Sequence, residues 1–390
     1  MPDAVIVATV RTPVGKRNGA LSAVHPVDLS AHVLESLVGR AGIEPRVVDD
    51  VIWGCVSQAG EQAPNIGRNA VLAAGWPEEI PGTTVDRQCG SSQQAVHFAA
   101  AAVIAGQADV VIAGGVESMS RVPMGSNAQG PGQPYGPRIN ARYGGVSFNQ
   151  GVGAEMVARQ WGLSRTEVDE IALRSHQLAA AATDSGAFAD EIAPVTLPDG
   201  TVLSTDEGIR RETSMEALGG LKTVFDANGV VTAGNASQIS DGAAAVLVTT
   251  PAKAAELGLT PLVRVRATAV VGVDPVTMLT GPIPATKRVL ERAGLRTSDI
   301  GVFEVNEAFA PVIGAWWAEI EKAGDLDRAS LEARTNPRGG AIALGHPLGG
   351  SGARLMTTLI SQMRAGGHRY GLQTMCEGGG MANATILELV

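Results

Sequence analysis

The sequence predicts an α/β protein built around a mostly parallel β-sheet with helices on both faces. Short Val- and Ile-rich runs alternate with helical periodicity through the first part of the chain, as expected for a buried parallel sheet. The composition agrees, because 45% of the residues are apolar, 18% are charged and 49 are glycine, which is typical of helices packed through small side chains. At 390 residues the chain is long enough for two or three domains.

The first 118 residues contain the clearest series of alternating elements. The segment at 91–105 is rich in alanine and is expected to be a buried helix. The run at 109–114 is almost entirely apolar, which indicates a strand buried on both faces. Strands are predicted at 5–10, 50–56 and 109–114, and helices at 26–41, 66–74 and 91–105.

The middle of the chain has a different composition. Residues 118–150 are rich in glycine and proline, which predicts loops without regular structure. Helices are predicted at 153–161 and 166–183, the second opening with Ser164 as its N-cap and Glu167 at capping-box spacing. Irregular chain then continues to about residue 235. Because long irregular segments are uncommon inside compact domains, we interpret this region as a lid or binding excursion.

The order of elements resumes after about Asp241. Ala41-Gly42-Ile43 and Ala293-Gly294-Leu295 each lead through a short acidic turn into a predicted strand. We interpret this recurrence as an internal duplication. The alternative is that any α/β protein repeats strand and helix. Strands are predicted at 243–249, 263–271, 302–305, 370–375 and 383–389, and helices at 283–293 and 351–365.

Charge and cysteine content exclude several classes of protein. The net charge is -9 and no stripe of Lys and Arg is present, so nucleic acid is not expected as a partner. No run of about eighteen apolar residues exists, so neither secretion nor membrane insertion is expected. The three cysteines, Cys55, Cys89 and Cys376, form no C-x-x-C pair and are too scattered for a disulfide framework. A reducing cytoplasm is the expected location.

Cys89 is the first candidate for chemistry. It lies on a predicted tight turn between a β-prone run and the helix at 91–105. The unpaired N–H groups and the positive dipole at a helix N-terminus favour a thiolate over a thiol. Cys89 is therefore a candidate nucleophile, although a cysteine among apolar residues is more often a small buried hydrophobe.

Cys376 is the second reactive candidate. It ends a predicted strand and precedes three glycines, which begin at Gly378. Glycines at such a corner leave backbone N–H groups accessible to a substrate oxygen. On this motif alone, a tight connection between strands is the simpler interpretation.

His346 lies in a glycine-rich loop ahead of the predicted helix at 351–365. A histidine in such a loop is placed to act as a base or hydrogen-bond donor near neutral pH. A buried structural histidine is an equally good interpretation.

Asn306 follows the predicted strand at 302–305, where a helix begins. The carboxyl ends of strands in an open parallel sheet are where ligands bind. Asn306 could cap the helix, orient a water molecule, or do both.

These motifs, in this order, resemble the thiolase family in its acetyl-CoA acetyltransferase and 3-ketoacyl-CoA thiolase branch. The resemblance runs from Val5 to Leu389 without a large gap. It is carried by Cys89-Gly90-Ser91, Asn306-Glu307-Ala308-Phe309, Gly345-His346-Pro347, Cys376-x-Gly-Gly-Gly, Thr232–Ser237 and Ser240–Ala245.

The resemblance implies a fold of five layers, αβαβα, made of two duplicated βαβαβαββ halves with an inserted loop domain. The N-terminal half would be residues 1–118, completed by about 241–262. The loop domain over the coenzyme A (CoA) site would be residues 119–240, and the C-terminal half residues 263–390. A homotetramer or homodimer of such subunits is implied.

The resemblance also implies roles for five residues. Cys89 would be the acyl-accepting nucleophile, His346 the group that activates it, and Cys376 the acid and base at the substrate α-carbon. Asn306, through a water molecule, and His346 would form one oxyanion hole. The N–H groups of Cys89 and Gly378 would form the other.

CoA enters as a substrate in this family, and neither a metal nor a bound cofactor is expected. Acyl-CoA and free CoA are the expected small-molecule partners. Ser237, Ala233 and Phe225 are implied to contact the pantetheine. Ala308 and Phe309 would lie nearer the thioester. Arg210 is a weaker candidate for the nucleotide end.

Four departures from the family pattern concern the surroundings of the reactive groups. They are Asp86, Gln93-Gln94, Asn149-Gln150 in place of a His-Met pair, and Glu377 directly after the second cysteine. We interpret them as pointing to a degradative enzyme with an atypical acyl pocket.

Three other functions remain alternatives on the sequence. A decarboxylating ketosynthase would pair its cysteine with two histidines or with a histidine and an asparagine. An acyl-CoA binding protein without turnover would lack one of Cys89, His346 and Cys376. A Cys/Cys/His zinc site is disfavoured because its ligands have no local pairing.

Overall fold

The computed structural model describes residues 3–390, and one large twisted sheet runs through the molecule. The strands are β1 (Val5–Arg11), β2 (Gly15–Lys16), β3 (Asp50–Gly54), β4 (Gly82–Val85), β5 (Val110–Ser118), β6 (Val195–Thr196), β7 (Val202–Leu203), β8 (Ser240–Thr249), β9 (Val263–Gly272), β10 (Val302–Val305), β11 (Tyr370–Glu377) and β12 (Met381–Leu389). Within residues 3–390 the sheet has ten strands in the order β10-β11-β12-β9-β1-β8-β5-β3-β4, with β2 paired to β8.

Helices cover both faces of this sheet. They are α1 (Pro26–Ala41), α2 (Ile66–Ala73), α3 (Ser91–Ala105), α4 (Pro137–Arg142), α5 (Gln150–Trp161), α6 (Arg165–Asp184), α7 (Met215–Gly219), α8 (Pro251–Glu256), α9 (Pro282–Ala293), α10 (Ala310–Glu321), α11 (Arg328–Arg334), α12 (Ala341–Leu344) and α13 (Leu348–Gly366).

The sheet order confirms the predicted internal duplication. In the first half, β3 is parallel to β4 and β5, and β8 is antiparallel to both β5 and β1. In the second half, β10 is parallel to β11, and β12 is antiparallel to both β11 and β9. Thr335 forms a parallel bridge with Phe303 of β10, at the place that β4 takes beside β3. The halves meet where β1 pairs with β9.

The expectation of a mostly parallel sheet was wrong. Most neighbouring strands in the described part of the chain are antiparallel. The reason lies in the connections: β11 and β12 form a hairpin through Gly378–Gly380, and β8 returns to the sheet only after the long middle segment. The strand-and-helix order along the sequence does not reveal these directions.

Alternating residues of the strands face different helices, which produces five layers. On β5, Val110 and Ile112 pack in the core shared with α1 and α2. Val111 and Ala113 face the opposite way, into a core shared with α3 and α13. The second half packs α9 and α10 against its outer face. The central α3 and α13 therefore lie between the two halves, as predicted for the family fold.

Glycines allow α3 and α13 to approach closely at the centre. A Cβ on Gly352 of α13 would lie 2.3 Å from the backbone nitrogen of Gln93 in α3. A Cβ on Gly54 of β3 would lie 2.4 Å from the backbone nitrogen of Ser92. Since the obstructing atoms are backbone, neither contact tolerates a side chain without a shift of the main chain.

Several element bounds differ from the prediction. β5 runs on to Ser118, and α13 begins at Leu348, directly after the loop that carries His346. The segment at 118–150 contains α4, which begins with Pro137 at a position where proline is compatible with a helix. The predicted capping box is confirmed: the Ser164 side chain accepts from the Glu167 N–H, and the Glu167 carboxylate accepts from the Ser164 N–H.

The middle segment is tied to β1 by a buried arginine. Arg11 is fully buried, and its guanidinium pairs with Glu191 at 3.0 Å and with Asp206 at 2.8 Å. The domain bounds given above remain a prediction. No helix within residues 3–390 combines the length and apolar character needed to cross a membrane.

Candidate active site

Cys89 lies on a tight turn between β4 and α3. Its neighbour Gln88 adopts a positive φ of 48°, which is uncommon for a residue with a side chain. Ser91 stabilises the turn, because its hydroxyl accepts from the Arg87 N–H at 2.9 Å and donates to the Gln88 carbonyl at 2.6 Å. The Asn383 amide of β12 donates to the Gly90 carbonyl at 3.0 Å. The sequence therefore correctly predicted a cysteine at the mouth of α3.

The sequence predicted that Cys89 is favoured as a thiolate, but burial favours the neutral thiol. The Cys89 side chain is only 3% exposed, and desolvation, with a smaller effect from Glu377, raises its pKa to about 12. The Gln150 amide and the N–H groups of Gly378 and Cys89 itself act in the opposite direction on this pKa. Desolvation outweighs these donors and the helix terminus. Cys89 is thus a thiol at neutral pH and needs a base to react.

His346 is held as a neutral imidazole with a defined tautomer. Its Nδ1 lies 2.6 Å from the Ser351 hydroxyl, which donates to the Pro347 carbonyl at 2.8 Å. Ser351 therefore accepts from Nδ1–H, and the imidazole lone pair lies on Nε2. Burial, aided by the Arg354 charge, lowers the pKa of His346 to about 3. The Nε2 atom is available to accept a proton or a hydrogen bond.

The loop that carries His346 lies beside Cys89. Leu348 and Ile239 pack in the same apolar cluster as Cys89. The His346 N–H donates to the Ser240 hydroxyl, one residue beyond Ile239, at 3.3 Å.

Asn306 lies next to His346. Its side-chain nitrogen is 3.4 Å from His346 Nε2, and its backbone N–H donates to the Thr374 carbonyl at 3.0 Å. The hypothesis that Asn306 caps a helix was wrong, because α10 begins at Ala310 and its N-cap residue is Phe309. Within the described chain, the buried Asn306 Oδ1 has no hydrogen-bond partner, so it is free to bind a ligand or water.

Cys376 lies close to Cys89. It is 1% exposed at the end of β11. Burial first, and then the charges of Cys89 and Glu377, raise the pKa of its thiol well above the ordinary value. Because the charge of one sulfur affects the other and the Gly378 N–H reaches Cys89, these three residues share one site.

An apolar wall adjoins Cys376. Cys376 packs with Ala308 and Phe309, and the Phe225 ring contacts Phe309 edge to face with the ring centres 6.2 Å apart. The Ser237 N–H donates to the Ala308 carbonyl at 2.9 Å. The structure therefore brings together Phe225, Ser237, Ala308 and Phe309 beside the second cysteine.

The other two predicted CoA contacts, Arg210 and Ala233, are exposed on the long middle segment that precedes β8. Arg210 is exposed beside α6, where its backbone N–H donates to His176 Nδ1 at 3.1 Å. Ala233 is exposed on the segment that leads to Ser237.

Glu117 supports the site and was missed by the sequence reasoning. Its carboxylate is fully buried and accepts from the N–H groups of Val56 at 3.0 Å, Ser57 at 2.9 Å and Gly349 at 2.9 Å, and from the Gln62 amide at 2.8 Å. It thereby connects the end of β5 to the start of α13. The available signal was an acidic residue at the end of a wholly apolar strand.

Glu307 supports the other side of the His346 loop. Its carboxylate accepts from the Ser175 hydroxyl at 2.6 Å, the Asn336 amide at 3.0 Å and the Ile342 N–H at 3.2 Å. The motif that contains Glu307 was recognised in the sequence, but this supporting role was not. No cluster of three or more His, Cys, Asp or Glu side chains suited to a metal ion occurs in the region from residue 3 to residue 390.

Comparison with known proteins agrees with the fold and with the family that the motifs resemble. The chain matches the thiolase N-terminal domain over residues 4–252 and the thiolase C-terminal domain over residues 259–389. The chain belongs to the thiolase family, as its motifs predicted, and the activity of this class is that of an acyltransferase.

Similar proteins cover the whole chain. It is 49% identical over 396 residues to the steroid 3-ketoacyl-CoA thiolase of Mycobacterium tuberculosis, a match that covers 100% of this chain and 94% of that protein. It is 47% identical over 397 residues to the 3-ketoacyl-CoA thiolase of Escherichia coli K12, with 100% of each chain covered. The crystal structure of the Bacillus anthracis acetyl-CoA acetyltransferase superimposes with a TM-score of 0.89 at 40% identity, over 100% of this chain and 99% of that one.

Proposed function

We propose that this protein is a degradative 3-ketoacyl-CoA thiolase, which uses CoA to cleave a 3-ketoacyl-CoA into acetyl-CoA and an acyl-CoA two carbons shorter. The observation that carries the proposal is the pair of buried thiols: the charge of Cys89 raises the pKa of Cys376, and the Gly378 N–H lies at the Cys89 sulfur. One sulfur suits attack on a carbonyl and the other suits proton transfer. The reverse Claisen condensation would use the same groups in the opposite order.

The first half-reaction forms an acyl-enzyme. His346 Nε2 takes the Cys89 proton, and the thiolate attacks the 3-keto carbon. The C2–C3 bond breaks, and its electron pair remains on the acetyl-CoA fragment as an enolate. Cys376 gives its proton to C2, which releases acetyl-CoA. A neutral thiol suits this step, and burial of Cys376 keeps it protonated.

Two oxyanions develop along this path. The N–H groups of Cys89 and Gly378 would stabilise one, at about 3 kcal/mol for each donor aimed in advance. Asn306, through a water molecule, and neutral His346 would stabilise the other. Once His346 has taken the Cys89 proton on Nε2, that N–H group can donate a hydrogen bond to the oxyanion.

The second half-reaction returns the enzyme to its starting state. Cys376, now a thiolate, takes the proton of a bound CoA thiol, and the CoA sulfur attacks the acyl-Cys89 carbonyl. Cys89 leaves as the thiolate and recovers its proton from His346. Two half-reactions with one acyl-enzyme between them give ping-pong kinetics.

CoA would lie along the wall formed by the middle segment. Ser237, Ala233 and Phe225 are proposed for the pantetheine, Ala308 and Phe309 for the thioester, and Arg210 for the nucleotide end. We further propose a cytoplasmic enzyme that works as a homotetramer or homodimer, with no metal and no resident cofactor.

The test is thiolysis of 3-ketoacyl-CoAs of graded chain length, with products identified by mass spectrometry. We expect CoA-dependent release of acetyl-CoA, with parallel double-reciprocal plots. Cys89→Ala should abolish the reaction, and the matched control is Cys55→Ala, which removes a buried thiol from the core shared with α1 and α2. Binding of acyl-CoA without any cleavage at every chain length would overturn the proposal in favour of a binding protein.

A further inference from the structure

The carboxyl group of Glu377 is buried directly beneath the Cys89 turn. Glu377 is 0% exposed at the end of β11, and successive side chains of a strand point to opposite faces, so its carboxyl group lies on the face opposite the Cys376 thiol. A Cβ on Gly90 would lie 2.1 Å from Glu377 Oε1. The carboxyl group therefore packs against the Gly90 backbone, and only glycine leaves room for it.

Both oxygens of this carboxyl group lack partners. Within residues 3–390, neither Glu377 Oε1 nor Oε2 has a hydrogen-bond partner. The nearest cation in the turn, Arg87, donates instead to the Met381 sulfur at 3.7 Å. The Asn383 amide nitrogen lies near the same point over Gly90 and donates to the Gly90 carbonyl. A buried carboxylate without a partner is strongly disfavoured, and the protonated acid costs much less to bury.

We propose that Glu377 is a positioning residue that is held as an uncharged carboxylic acid against the Cys89 turn, and that its ionisation at alkaline pH suppresses formation of the Cys89 thiolate. The proposal rests on the proposed function only where it concerns turnover. The titratable and charged groups near Glu377 are Arg87, Asp86 and Cys89 from the turn and Cys376, the preceding residue of its own strand.

The charges around Glu377 agree with this arrangement. Burial, with a smaller effect from Asp86, raises the pKa of Glu377 to about 8, while Arg87 acts in the opposite direction. An ionised Glu377 raises the pKa of both Cys89 and Cys376. Near neutral pH the carboxyl group is therefore mostly uncharged and has little effect on the Cys89 thiol. At higher pH a second negative charge appears beside the sulfur that must become a thiolate.

The experiment measures alkylation of Cys89 by iodoacetamide as a function of pH, with the modified peptide quantified by mass spectrometry. The wild-type rate should rise in proportion to hydroxide and then flatten as the pH passes about 8, the pKa of Glu377. Glu377→Gln keeps the shape of the neutral acid. It should match the wild type near pH 7, react about fivefold faster near pH 9 and approach about tenfold at higher pH, which corresponds to a change of about one unit in thiol pKa.

The matched control is Glu79→Gln, which makes the same substitution at an exposed carboxylate ten residues before Cys89. Its profile should stay within about twofold of the wild type, because solvent screens an exposed charge. A wild-type rate that rises without flattening would overturn the proposal, even if the Glu377 variant fails to fold. Equal slowing of Glu377→Gln at every pH would also overturn it.

Alkylation needs no substrate, so the outcome is separate from the proposed function. Failure to cleave any 3-ketoacyl-CoA would overturn the function but leave the alkylation profile to decide the role of Glu377. If the enzyme is active, the alkaline fall of kcat/KM should shift to higher pH in Glu377→Gln, while its activity near pH 7 stays close to that of the wild type.

Discussion

At the scale of single residues, the reactivity of Cys89 depends on the balance between burial and hydrogen bonding. Burial raises the pKa of the thiol to about 12, while three donors favour the thiolate. One of these donors is the Gln150 amide, whose Nε2 lies 4.0 Å from the Cys89 sulfur. Gln150 occupies one of the positions where the sequence departs from the family pattern. We infer that it contributes to the activation of the nucleophile.

Replacing Gln150 with methionine should make the Cys89 thiol harder to ionise. A long hydrogen bond to a charged sulfur contributes about 1 kcal/mol, so the variant should be alkylated about fivefold more slowly at a fixed pH. Gln133→Met, on an exposed loop, serves as the control. Unchanged alkylation of Gln150→Met would show that the amide does not act on the sulfur.

Ser351 should control the tautomer of His346. Its hydroxyl accepts from Nδ1–H, and without it the proton is free to occupy Nε2, where the base is needed. Ser351→Ala should lower kcat at least about tenfold with little change in KM. Thr357→Ala is the matched control, because Thr357 donates to the carbonyl four residues earlier in the same helix. Equal losses in the two variants would indicate a general weakening of α13.

At the scale of elements, the contact between α3 and α13 determines how the two halves fit together. The Cys89 turn directly precedes α3, and the His346 loop directly precedes α13. Their approach depends on glycine at the contact, because backbone atoms leave no room for a methyl group. A small shift between the two helices would therefore move the nucleophile relative to its base.

Gly352→Ala should both destabilise the protein and reduce activity. The added methyl group would press against the Gln93 backbone, and overpacking of this kind costs about 2 kcal/mol in the free energy of unfolding. Gly39→Ala in α1 is the matched control, because no atom lies within 4 Å of its added Cβ. That variant should gain about 0.5 kcal/mol. Urea unfolding measures both, and equal stabilities would contradict the packing described here.

At the scale of the whole molecule, three buried imidazoles should make stability depend on pH. Burial is the main cause that lowers the pKa of His97 and His346 to about 3 and that of His176 to about 4. Below about pH 6.5 the unfolded imidazoles take up protons and the folded ones do not. The unfolded state then binds more protons, so stability falls as the pH decreases toward 4.

Buried acids act in the opposite sense. Burial raises the pKa of Glu304 and Glu377 to about 8, so between about pH 4.5 and pH 8 the folded state holds protons that the unfolded state has lost. Their contribution to stability therefore falls as the pH increases through this window.

The histidine contribution can be separated by comparing the wild type with His97→Gln. Between about pH 6.5 and pH 5, the wild type should lose more stability than the variant, by about 1.4 kcal/mol per pH unit for one group. Urea unfolding at the two pH values provides the comparison. Parallel losses would show that His97 is protonated in the folded state.

Much of the fold was predictable because local signals recur in both halves. Gly42 and Gly294 end α1 and α9 with φ values of 69° and 67°, so the repeated Ala-Gly sequence corresponds to the same type of helix cap in both halves. The family and the duplicated fold were confirmed. The strand directions were not predictable, because they depend on how β8 and β12 return to the sheet after their connections.

The candidate site was predictable in its motifs and less so in its electrostatics. Cys89, Cys376 and Gly378 meet in space, and His346 lies beside Asn306, although they are far apart in the sequence. The raised pKa of Cys89 was not foreseen, since burial is set by tertiary packing. The role of Glu117 was also missed, because its partners come from distant segments. The catalytic roles themselves stay predictions.

The most direct test of the central claim is to locate the acyl group by mass spectrometry after incubation with acyl-CoA. The wild type, Cys376→Ser and Cys55→Ser should each carry one acyl group on the peptide that contains Cys89, and Cys89→Ser should carry none. Cys376→Ser should nevertheless fail to cleave or condense, because proton transfer at the α-carbon is lost. An acyl group on Cys376 or Cys55, or an acylated Cys89→Ser protein, would contradict the division of labour between the two thiols.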